Sequence, residues 1–319
     1  MSNNAVIDMA GVVLDAESWE SYLSWFAADC PGYLRLFGRR FCSLAGVRHE
    51  AYQDALERGP AEVVRLLLST GRLDVDIDRY VEELAGGGVT LQVIHGGMTP
   101  LRSGGLLNDR VAAFARRHPD RLHAWAGLSL RDEQAALKEM RRCVGDLGMR
   151  GVSVTHFTDA ADPLSAASRA VYAEAEHLGV PVWIHAGHNL SPRVPVDHCA
   201  WRQLDAIARA HPDLVIVAGH GGWPWMMEMV SLCQRHPNLY LEFSTHRPAH
   251  MAAAGSGWEP LLAHGRATIR NKVLFGSVGW VHEMSAGELA DEVRALPLDE
   301  GTVRRWLYGN AARVLGAAA

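Results

Sequence analysis

Two apolar segments of this chain each end at a histidine. Residues 180–184 (VPVWI) precede His185, and residues 214–219 (LVIVAG) precede His220. Short apolar runs that stop at a polar residue near glycine are typical of parallel strands buried on both faces. Because the carboxyl ends of parallel strands meet at one edge, where the sites of α/β proteins lie, we expect the two side chains to meet there. The pair predicts a proton-transfer or metal site.

The same pattern recurs along the chain and predicts an α/β fold. Strand candidates alternate with amphipathic helical segments, which indicates parallel βα units, and eight such units favour a (β/α)₈ TIM barrel. An open doubly wound sheet is disfavoured because no glycine-rich turn follows the first strand. The predicted helices cover residues 106–117, 131–147, 163–178, 200–210 and 224–235. The strand candidates begin near Ala5, Val89, Arg121, Met149, Val180, Leu214, Asn238 and Lys272.

Residues 12–88 interrupt this regular spacing. The segment carries Trp19, Trp25, Tyr33 and Phe37 at roughly helical intervals, which predicts two or three helices inserted after the first strand on the carboxyl face. Such an insertion can form a lid or a dimer contact. No linker separates it, so residues 1–319 are expected to form a single barrel domain with a helical insertion at about 12–88.

The composition is that of an ordinary soluble globular protein, and the partner that we expect is a small-molecule substrate. Of 319 residues, 48% are hydrophobic and 21% charged, and the formal net charge is −5. No basic block indicates nucleic acid, and no apolar run or leader pattern indicates a membrane or secretion. The five cysteines are scattered, which favours reduced thiols and a cytoplasmic location. A homodimer is expected for a barrel of this kind.

Eleven of the sixteen histidines fall into three groups. Three precede proline at helix ends, where a histidine suits the helix dipole, and are interpreted as structural. Three more lie in loops, and we interpret them as surface residues. Five others lie at or just beyond strand ends, and burying several imidazoles together costs several kcal/mol unless they have partners, so this group is the candidate site. The histidines that precede proline are His118, His211 and His236. Those in loops are His188, His198 and His282. Those at strand ends are His95, His156, His185, His220 and His246.

Other residue types complete the candidate site. Asp8 and Glu242 lie on predicted strands and are candidate catalytic carboxylates that set the pKa of a neighbouring histidine; alternatively, Asp8 bonds only the backbone and Glu242 faces outward. Arg247 and Arg102 are candidates to bind a substrate carboxylate, or else form surface salt bridges. The tryptophans that follow strand ends predict a flat apolar pocket for the substrate. These are Trp223, Trp225 and Trp280.

Four motifs carry a family resemblance. They are residues 179–187 (GVPVWIHAG), 217–225 (VAGHGGWPW), 273–277 (VLFGS) and 309–316 (GNAARVLG). Over residues 149–316 the chain resembles the amidohydrolase-related family, in the branch of aminocarboxymuconate-semialdehyde and resorcylate-type decarboxylases. This resemblance implies a (β/α)₈ barrel with hydrolase or lyase activity. It also implies that His185 matches a metal ligand and that His220 matches the catalytic general acid/base.

The chain departs from the family pattern at the metal. The family's first strand ends in Asp-x-His-x-His, whereas here residues 8–12 read DMAGV, so that Ala10 and Val12 replace both histidines. The eighth strand normally continues Gly-Ser-Asp, and here Val278 replaces the aspartate. Alanine and valine have no lone pairs, and zinc needs about three protein ligands. We therefore predict no metal ligands and no cofactor, with zinc at a relocated histidine site as the alternative.

Three hypotheses follow. The first is a metal-independent enzyme in which His185 and His220 carry out acid/base chemistry on a small aromatic or unsaturated acid, by hydrolysis, decarboxylation or a related lyase, isomerase or cyclisation step. The second is a zinc-dependent hydrolase or decarboxylase with a rearranged ligand set drawn from His95, His156, His185 and His220. The third is a non-catalytic ligand-binding protein that retains the barrel.

Overall fold

The computed structural model describes residues 5–12 and 15–316, in which eight parallel strands form one sheet. Each strand pairs with its neighbours in chain order, so the sheet follows the sequence without a crossover. All eight predicted strand positions are confirmed to within a few residues. The strands are β1 (Val6–Gly11), β2 (Val89–His95), β3 (Leu122–Leu128), β4 (Val152–Val154), β5 (Val182–His185), β6 (Ile216–Gly219), β7 (Leu239–Glu242) and β8 (Val273–Leu274).

The sheet curves until its first and last strands meet. The Met9 N–H donates to the Phe275 carbonyl at 2.9 Å, and the Val278 N–H donates to the Ala10 carbonyl at 2.8 Å. These bonds join β1 to the segment after β8 and nearly close the barrel. The predicted (β/α)₈ class is therefore confirmed.

Apolar side chains fill the barrel interior below its carboxyl end. Burial of side chains of this size contributes about 1.5–3 kcal/mol each. Trp183 lies so close to the next strand that a Cβ at Gly219 would stand 2.0 Å from its ring, so only glycine fits there. The packed interior leaves the carboxyl face as the place for a cavity. The interior side chains include Ile7, Met9, Val93, Trp125, Trp183, Val217, Tyr240 and Leu274.

The insertion after β1 contains six helices rather than the predicted two or three. The aromatic spacing indicated helix but not its interruptions: Pro31 and Pro60 begin new helices, and Gly46 and Gly59 have positive φ at helix ends. Residues 13 and 14 of the predicted range lie outside the described residues. The helices are α1 (Ala16–Asp29), α2 (Pro31–Leu36), α3 (Gly38–Ala45), α4 (His49–Arg58), α5 (Pro60–Leu68) and α6 (Ile77–Gly86).

The later helices follow the βα alternation. All five predicted helical segments are confirmed, as α7 (Leu107–Arg117), α8 (Glu133–Gly145), α10 (Ala166–Leu178), α11 (Trp201–Ala210) and α12 (Met226–Arg235). Among the described helices, none is both long and apolar enough to cross a membrane. All five cysteines are buried and unpaired. The homodimer and the cytoplasmic location stay predictions. The remaining helices are α9 (His156–Asp159), α13 (Pro248–Met251), α14 (Glu259–Gly265), α15 (Ala286–Arg294), α16 (Glu300–Arg304) and α17 (Asn310–Val314).

The three histidines that precede proline stabilise helix ends. His118 follows α7 and bonds Asp78 at 2.8 Å, and His211 follows α11 and bonds Glu176 at 3.0 Å. His236 follows α12 and lies 2.7 Å from an oxygen of Asp205. Each imidazole therefore has an acidic partner away from the carboxyl face.

Candidate functional site

A cavity of about 800 Å³ lies at the carboxyl face of the barrel. Strand ends form its floor, and helices α1 to α3 of the insertion form an aromatic wall over it. Phe26 stacks on Tyr33 with centroids 5.1 Å apart, and Phe37 packs edge-on against Trp280 at 5.2 Å. The insertion thus packs directly on the loop after β8. The aromatic side chains that line the cavity are Tyr22, Trp25, Phe26, Tyr33, Phe37, Phe157, Trp183, Trp223 and Trp280.

His185 and His220 meet at the cavity wall, as the two strand ends predicted. β5 ends at His185, and His220 directly follows β6, with its backbone at φ +60°. The ring centroids are 4.9 Å apart and the ring planes are inclined at 71°. Phe157 packs on the outer edge of the His185 ring at 4.6 Å. The Nδ1 atom of His185 is buried without a hydrogen-bond partner among the described residues.

A chain of hydrogen bonds leads from His220 into the barrel wall. Nδ1 of His220 lies 2.8 Å from Oγ of Ser244, and that hydroxyl donates to Oε2 of Glu242 at 2.9 Å. The Ser244 N–H also donates to Glu242, and the indole N–H of Trp183 donates to it at 3.1 Å. The imidazole is therefore held at a fixed angle by Ser244 and Glu242, which do not themselves line the cavity.

Burial keeps the cavity imidazoles neutral. Burial lowers the pKa of His185 to about 3, with a further contribution from His156, and it lowers the pKa of His220 well below 6.5, with a further contribution from His185. Burial also lowers the pKa of His95 to about 4 and that of His246 to about 3. A neutral imidazole keeps one unprotonated ring nitrogen, whose lone pair is available to a proton of a bound substrate. The cavity therefore carries neutral imidazoles as its candidate bases.

The two predicted carboxylates lie below the cavity rather than in its wall. Burial raises the pKa of Glu242 to about 7, the hydrogen bonds from Trp183 and Ser244 oppose this, and the Asp8 charge adds to it. Burial likewise raises the pKa of Asp8. Asp8 accepts bonds from Ala10, Gln92 and Ser277, so it bridges β1, β2 and the segment after β8. Glu242 contacts His220 through Ser244, whereas Asp8 has no such link.

Two of the three other strand-end histidines line the cavity. His95 has its Nε2 3.1 Å from the Met9 carbonyl, and the His246 ring lies 4.7 Å from that of Trp258. His156 is fully buried behind the wall, where its Nε2 lies 2.6 Å from the Tyr172 hydroxyl. The strand-end pattern placed His156 at the correct edge, but its side chain points away from the cavity.

Three further residues that were predicted to bind the substrate lie outside the cavity wall. Arg247 begins the short helix α13, and its Nε bonds Glu292 of α15 at 2.7 Å, so the salt-bridge alternative is the one observed. Arg102 similarly pairs with Glu20 at 3.0 Å. Trp225 precedes α12 and does not line the cavity. Trp223 and Trp280 do line it, as predicted.

The insertion contributes a cation that the sequence analysis missed. Arg40, on α3, lines the cavity, and its guanidinium lies over the Phe37 ring at 5.3 Å. No carboxylate pairs with Arg40 among the salt bridges of the described residues, whereas Arg131, the other arginine in the wall, bonds Asp29 and Asp159. Helical aromatic spacing placed this segment near the site but did not show which face points inward.

Two loop histidines interpreted as surface residues also line the cavity. They are His188 and His282. Burial lowers the pKa of His282 to about 4, and the Arg40 charge adds to this effect. Because the insertion covers the carboxyl face, loops that would otherwise be exposed become part of the wall.

The positions that would carry metal ligands form an apolar surface. Ala10, Val12 and Val278 line the cavity and pack with Val281 and Trp280. In residues 5–12 and 15–316, no group of three or more histidine, cysteine, aspartate or glutamate side chains is arranged to hold a metal ion. Methyl groups offer no lone pairs. The residues present therefore do not fit the family's metal.

The family is established by a model that covers most of the chain. Residues 101–317 match the amidohydrolase family model. The chain belongs to this family. The predicted resemblance, including its decarboxylase branch, is confirmed: gamma-resorcylate decarboxylase from Rhizobium radiobacter is 32% identical over 169 residues, which cover 44% of this chain and 50% of that protein. The chain thus spans about half the length of the curated relatives that it matches.

Solved structures give the same fold over nearly the whole chain. An uncharacterised TIM-barrel protein from Bordetella bronchiseptica superposes with a TM-score of 0.69 at 22% identity, covering 98% of both chains. A 5-carboxyvanillate decarboxylase from Novosphingobium aromaticivorans, complexed with manganese and 4-hydroxy-3-methoxy-5-nitrobenzoic acid, has a TM-score of 0.65 at 16% identity and covers 98% of this chain and 96% of its own. At these identities the structures establish the fold.

Proposed function

We propose that this amidohydrolase-family protein is a lyase that removes carbon dioxide from a small ortho-hydroxylated aromatic acid by proton transfer, without a metal. One observation carries the proposal. Two neutral imidazoles, those of His185 and His220, face each other at the wall of an aromatic cavity in which three of the family's metal-ligand positions are apolar. Among the charged groups of the wall, Arg131 is paired with Asp29 and Asp159, and Arg40 has no such salt bridge among the described residues.

The cavity suits a single aromatic acid. Its volume of about 800 Å³ lies within the usual range for small-molecule sites, roughly 300–1,000 Å³. Aromatic side chains stack favourably on an aromatic ring. Arg40 supplies a guanidinium that pairs with a carboxylate in two-point geometry.

The chemistry begins with a neutral base. Nε2 of His220 takes the proton of a hydroxyl ortho to the carboxylate, which leaves a phenolate rich in electrons at the carbon that carries the carboxylate. The imidazolium then donates this proton to that carbon, which forms a C–H bond and a cyclic ketone. The bond to the carboxylate breaks, carbon dioxide leaves, and the electron pair restores the aromatic phenolate, which takes a proton from water. Each turnover consumes one proton, and His220 ends neutral.

Burial favours the return of the proton. A charge on His220 is destabilised chiefly by burial, because a charged imidazole is poorly solvated there. A proton that His220 has accepted is therefore readily donated to the substrate carbon. Positioned proton transfer of this kind contributes about 10²–10⁴-fold in rate.

The relatives support this reaction class. The gamma-resorcylate and 5-carboxyvanillate decarboxylases are named for aromatic acids. The manganese in the latter structure favours the competing hypothesis of a metal enzyme, for which this chain would need ligands other than Ala10, Val12 and Val278. Pure ligand binding is a weaker candidate, since it gives no reason to bury two facing imidazoles at a cost of several kcal/mol.

The proposal is tested by product analysis in D₂O. The purified protein is incubated with 2,6-dihydroxybenzoate, 2-hydroxybenzoate and, as the control, benzoate, which lacks the hydroxyl. We expect carbon dioxide release and one deuterium at the carbon that lost the carboxylate, from hydroxylated acids alone. Turnover of benzoate at the same rate, or cleavage of esters and amides with retention of the carboxylate, would contradict the proposal.

A further inference from the structure

We propose that Ser244 and Glu242 are positioning residues that set the tautomer of His220, so that Nδ1 carries the hydrogen and Nε2 is the nitrogen free to accept a proton. Only the catalytic consequence of this tautomer rests on the proposed function. The tautomer itself is a property of the free protein and is measured without a substrate.

The hydrogen count on Ser244 decides the tautomer. A serine hydroxyl has one hydrogen, and Ser244 donates it to Oε2 of Glu242 at 2.9 Å. The Oγ atom of Ser244 also lies 2.8 Å from Nδ1 of His220. Because the Ser244 hydroxyl already donates its hydrogen to Glu242, a hydrogen bond between Oγ and Nδ1 needs a hydrogen on Nδ1. Nε2 is then the unprotonated nitrogen.

Glu242 is held as the acceptor at the end of this chain. The Ser244 N–H donates to Oε1, and the Trp183 indole donates to Oε2 at 3.1 Å. The His220 N–H is also directed at Oε2, at 3.5 Å. Donors face both carboxylate oxygens, so a proton on either oxygen would point at another hydrogen. The carboxylate form therefore fits this environment and, above the raised pKa of about 7, it fixes the direction of the Ser244 hydroxyl.

Strand pairing explains why these residues meet. In the β6–β7 ladder, Ala218 is opposite Leu241, so the residues that follow each strand lie side by side. His220 and Thr245 both have positive φ, at 60° and 64°, which turns the chain sharply after each strand. Neither Ser244 nor Glu242 lines the cavity, so they act on the reaction only through His220.

The test reads the tautomer directly. Heteronuclear NMR of nitrogen-labelled protein at a pH above 7, where Glu242 is ionised, distinguishes the two ring nitrogens of His220, with the signals assigned from His220→Asn. We expect the wild-type protein to have the hydrogen on Nδ1. In Ser244→Ala the side-chain acceptor is gone, and we expect a mixture of tautomers. Ser244→Thr keeps a hydroxyl and should retain the wild-type form.

Glu242→Gln provides a second variant of nearly unchanged size if Ser244→Ala does not fold. It removes the charge that orders the hydroxyl, so the Nδ1-hydrogen form should lose population. Glu82→Gln, at an exposed position of α6, is the matched control. A hydrogen on Nε2 in the wild-type protein would overturn the inference, and so would an unchanged tautomer in both Ser244→Ala and Glu242→Gln.

Steady-state kinetics distinguishes a positioning role of Ser244 from a merely structural one. With a turned-over aromatic acid, Ser244→Ala should lower kcat on the order of 100-fold and leave KM unchanged, with recovery in Ser244→Thr. A rise in KM at constant kcat would instead indicate a change in cavity shape and contradict a positioning role. If no acid is turned over but the tautomer responds as described, the proposed function fails while the positioning stands.

Discussion

The imidazoles of His185 and His220 face each other with centroids 4.9 Å apart. They come from adjacent strands, and both are neutral because burial opposes their charging. Ala10, Val12 and Val278 stand at three of the family's metal-ligand positions, and we propose that this pair is the reactive part of the cavity.

Loss of His220 should abolish turnover but not binding. His220→Asn removes the proton acceptor, and we expect kcat to fall by about 10²–10⁴-fold. The aromatic wall and Arg40 remain, so the dissociation constant for an aromatic acid should change little. Both quantities are measured by steady-state kinetics and calorimetry. Wild-type kcat in this variant would favour a different catalytic group.

Arg40 should determine affinity for the carboxylate. Arg40→Met removes a charged hydrogen bond, which is worth about 1.5–3 kcal/mol, so KM should rise roughly 10–100-fold with kcat largely retained. Arg39→Met, an exposed position on the same helix, is the control and should behave as wild type. If the two variants have equal KM values, the carboxylate binds elsewhere.

The free energy of unfolding of this protein should fall as the pH is lowered below the ordinary histidine pKa. The unfolded chain takes up protons near the ordinary histidine pKa of 6.5, whereas burial lowers the pKa of His95 to about 4 and that of His185 and His246 to about 3. The stability from these neutral rings is present above pH 6.5 and is lost as the pH falls towards 4. Each ring contributes up to about 1.4 kcal/mol per pH unit.

The pKa shift of Glu242 changes the stability with pH in the opposite direction. Burial raises its pKa from 4.5 to about 7, so the folded chain holds a proton there that the unfolded chain has lost, and this contribution declines as the pH rises. One carboxyl is outweighed by several imidazoles. Urea unfolding between pH 7 and 5 measures the slope. His246→Asn should reduce it by about one proton, and the exposed control His177→Asn should not; equal slopes would contradict the account.

Asp8 should be structural rather than catalytic. Asp8→Ala leaves the donors on Ala10, Gln92 and Ser277 without their acceptor at the point where the barrel closes. We expect a loss of about 3–5 kcal/mol in the free energy of unfolding, measured in urea. Asp54→Ala, at an exposed position, should change it little. A stable Asp8→Ala protein without activity would instead place Asp8 in the mechanism.

The barrel and its histidine pair were predictable because both depend on local pattern. Buried parallel strands are apolar runs, so β2 to β7 and their carboxyl ends are visible in the sequence, and even the two-residue strand β8 has an apolar flank. His185 and His220 follow such runs directly. The same logic placed His156 at the correct edge but could not show that its side chain turns towards Tyr172.

The rest of the site depends on contacts between distant segments. Arg40 enters the cavity because α3 packs over Trp280, where Phe41 stacks at 5.0 Å, and nothing in its local sequence indicates this. Arg247 leaves the cavity because Glu292, on another helix, binds it. Periodicity predicts which residues share a face of an element, but not which face of an insertion lies over a barrel.

The most direct test of the account is turnover of an aromatic acid by metal-free protein. The protein is treated with a chelator, its metal content is measured by elemental analysis, and decarboxylation is then followed with and without added manganese or zinc. We expect full activity at a metal content far below one ion per chain and no stimulation by either metal. Activity that disappears on chelation and returns with manganese or zinc would contradict proton transfer by the histidine pair alone.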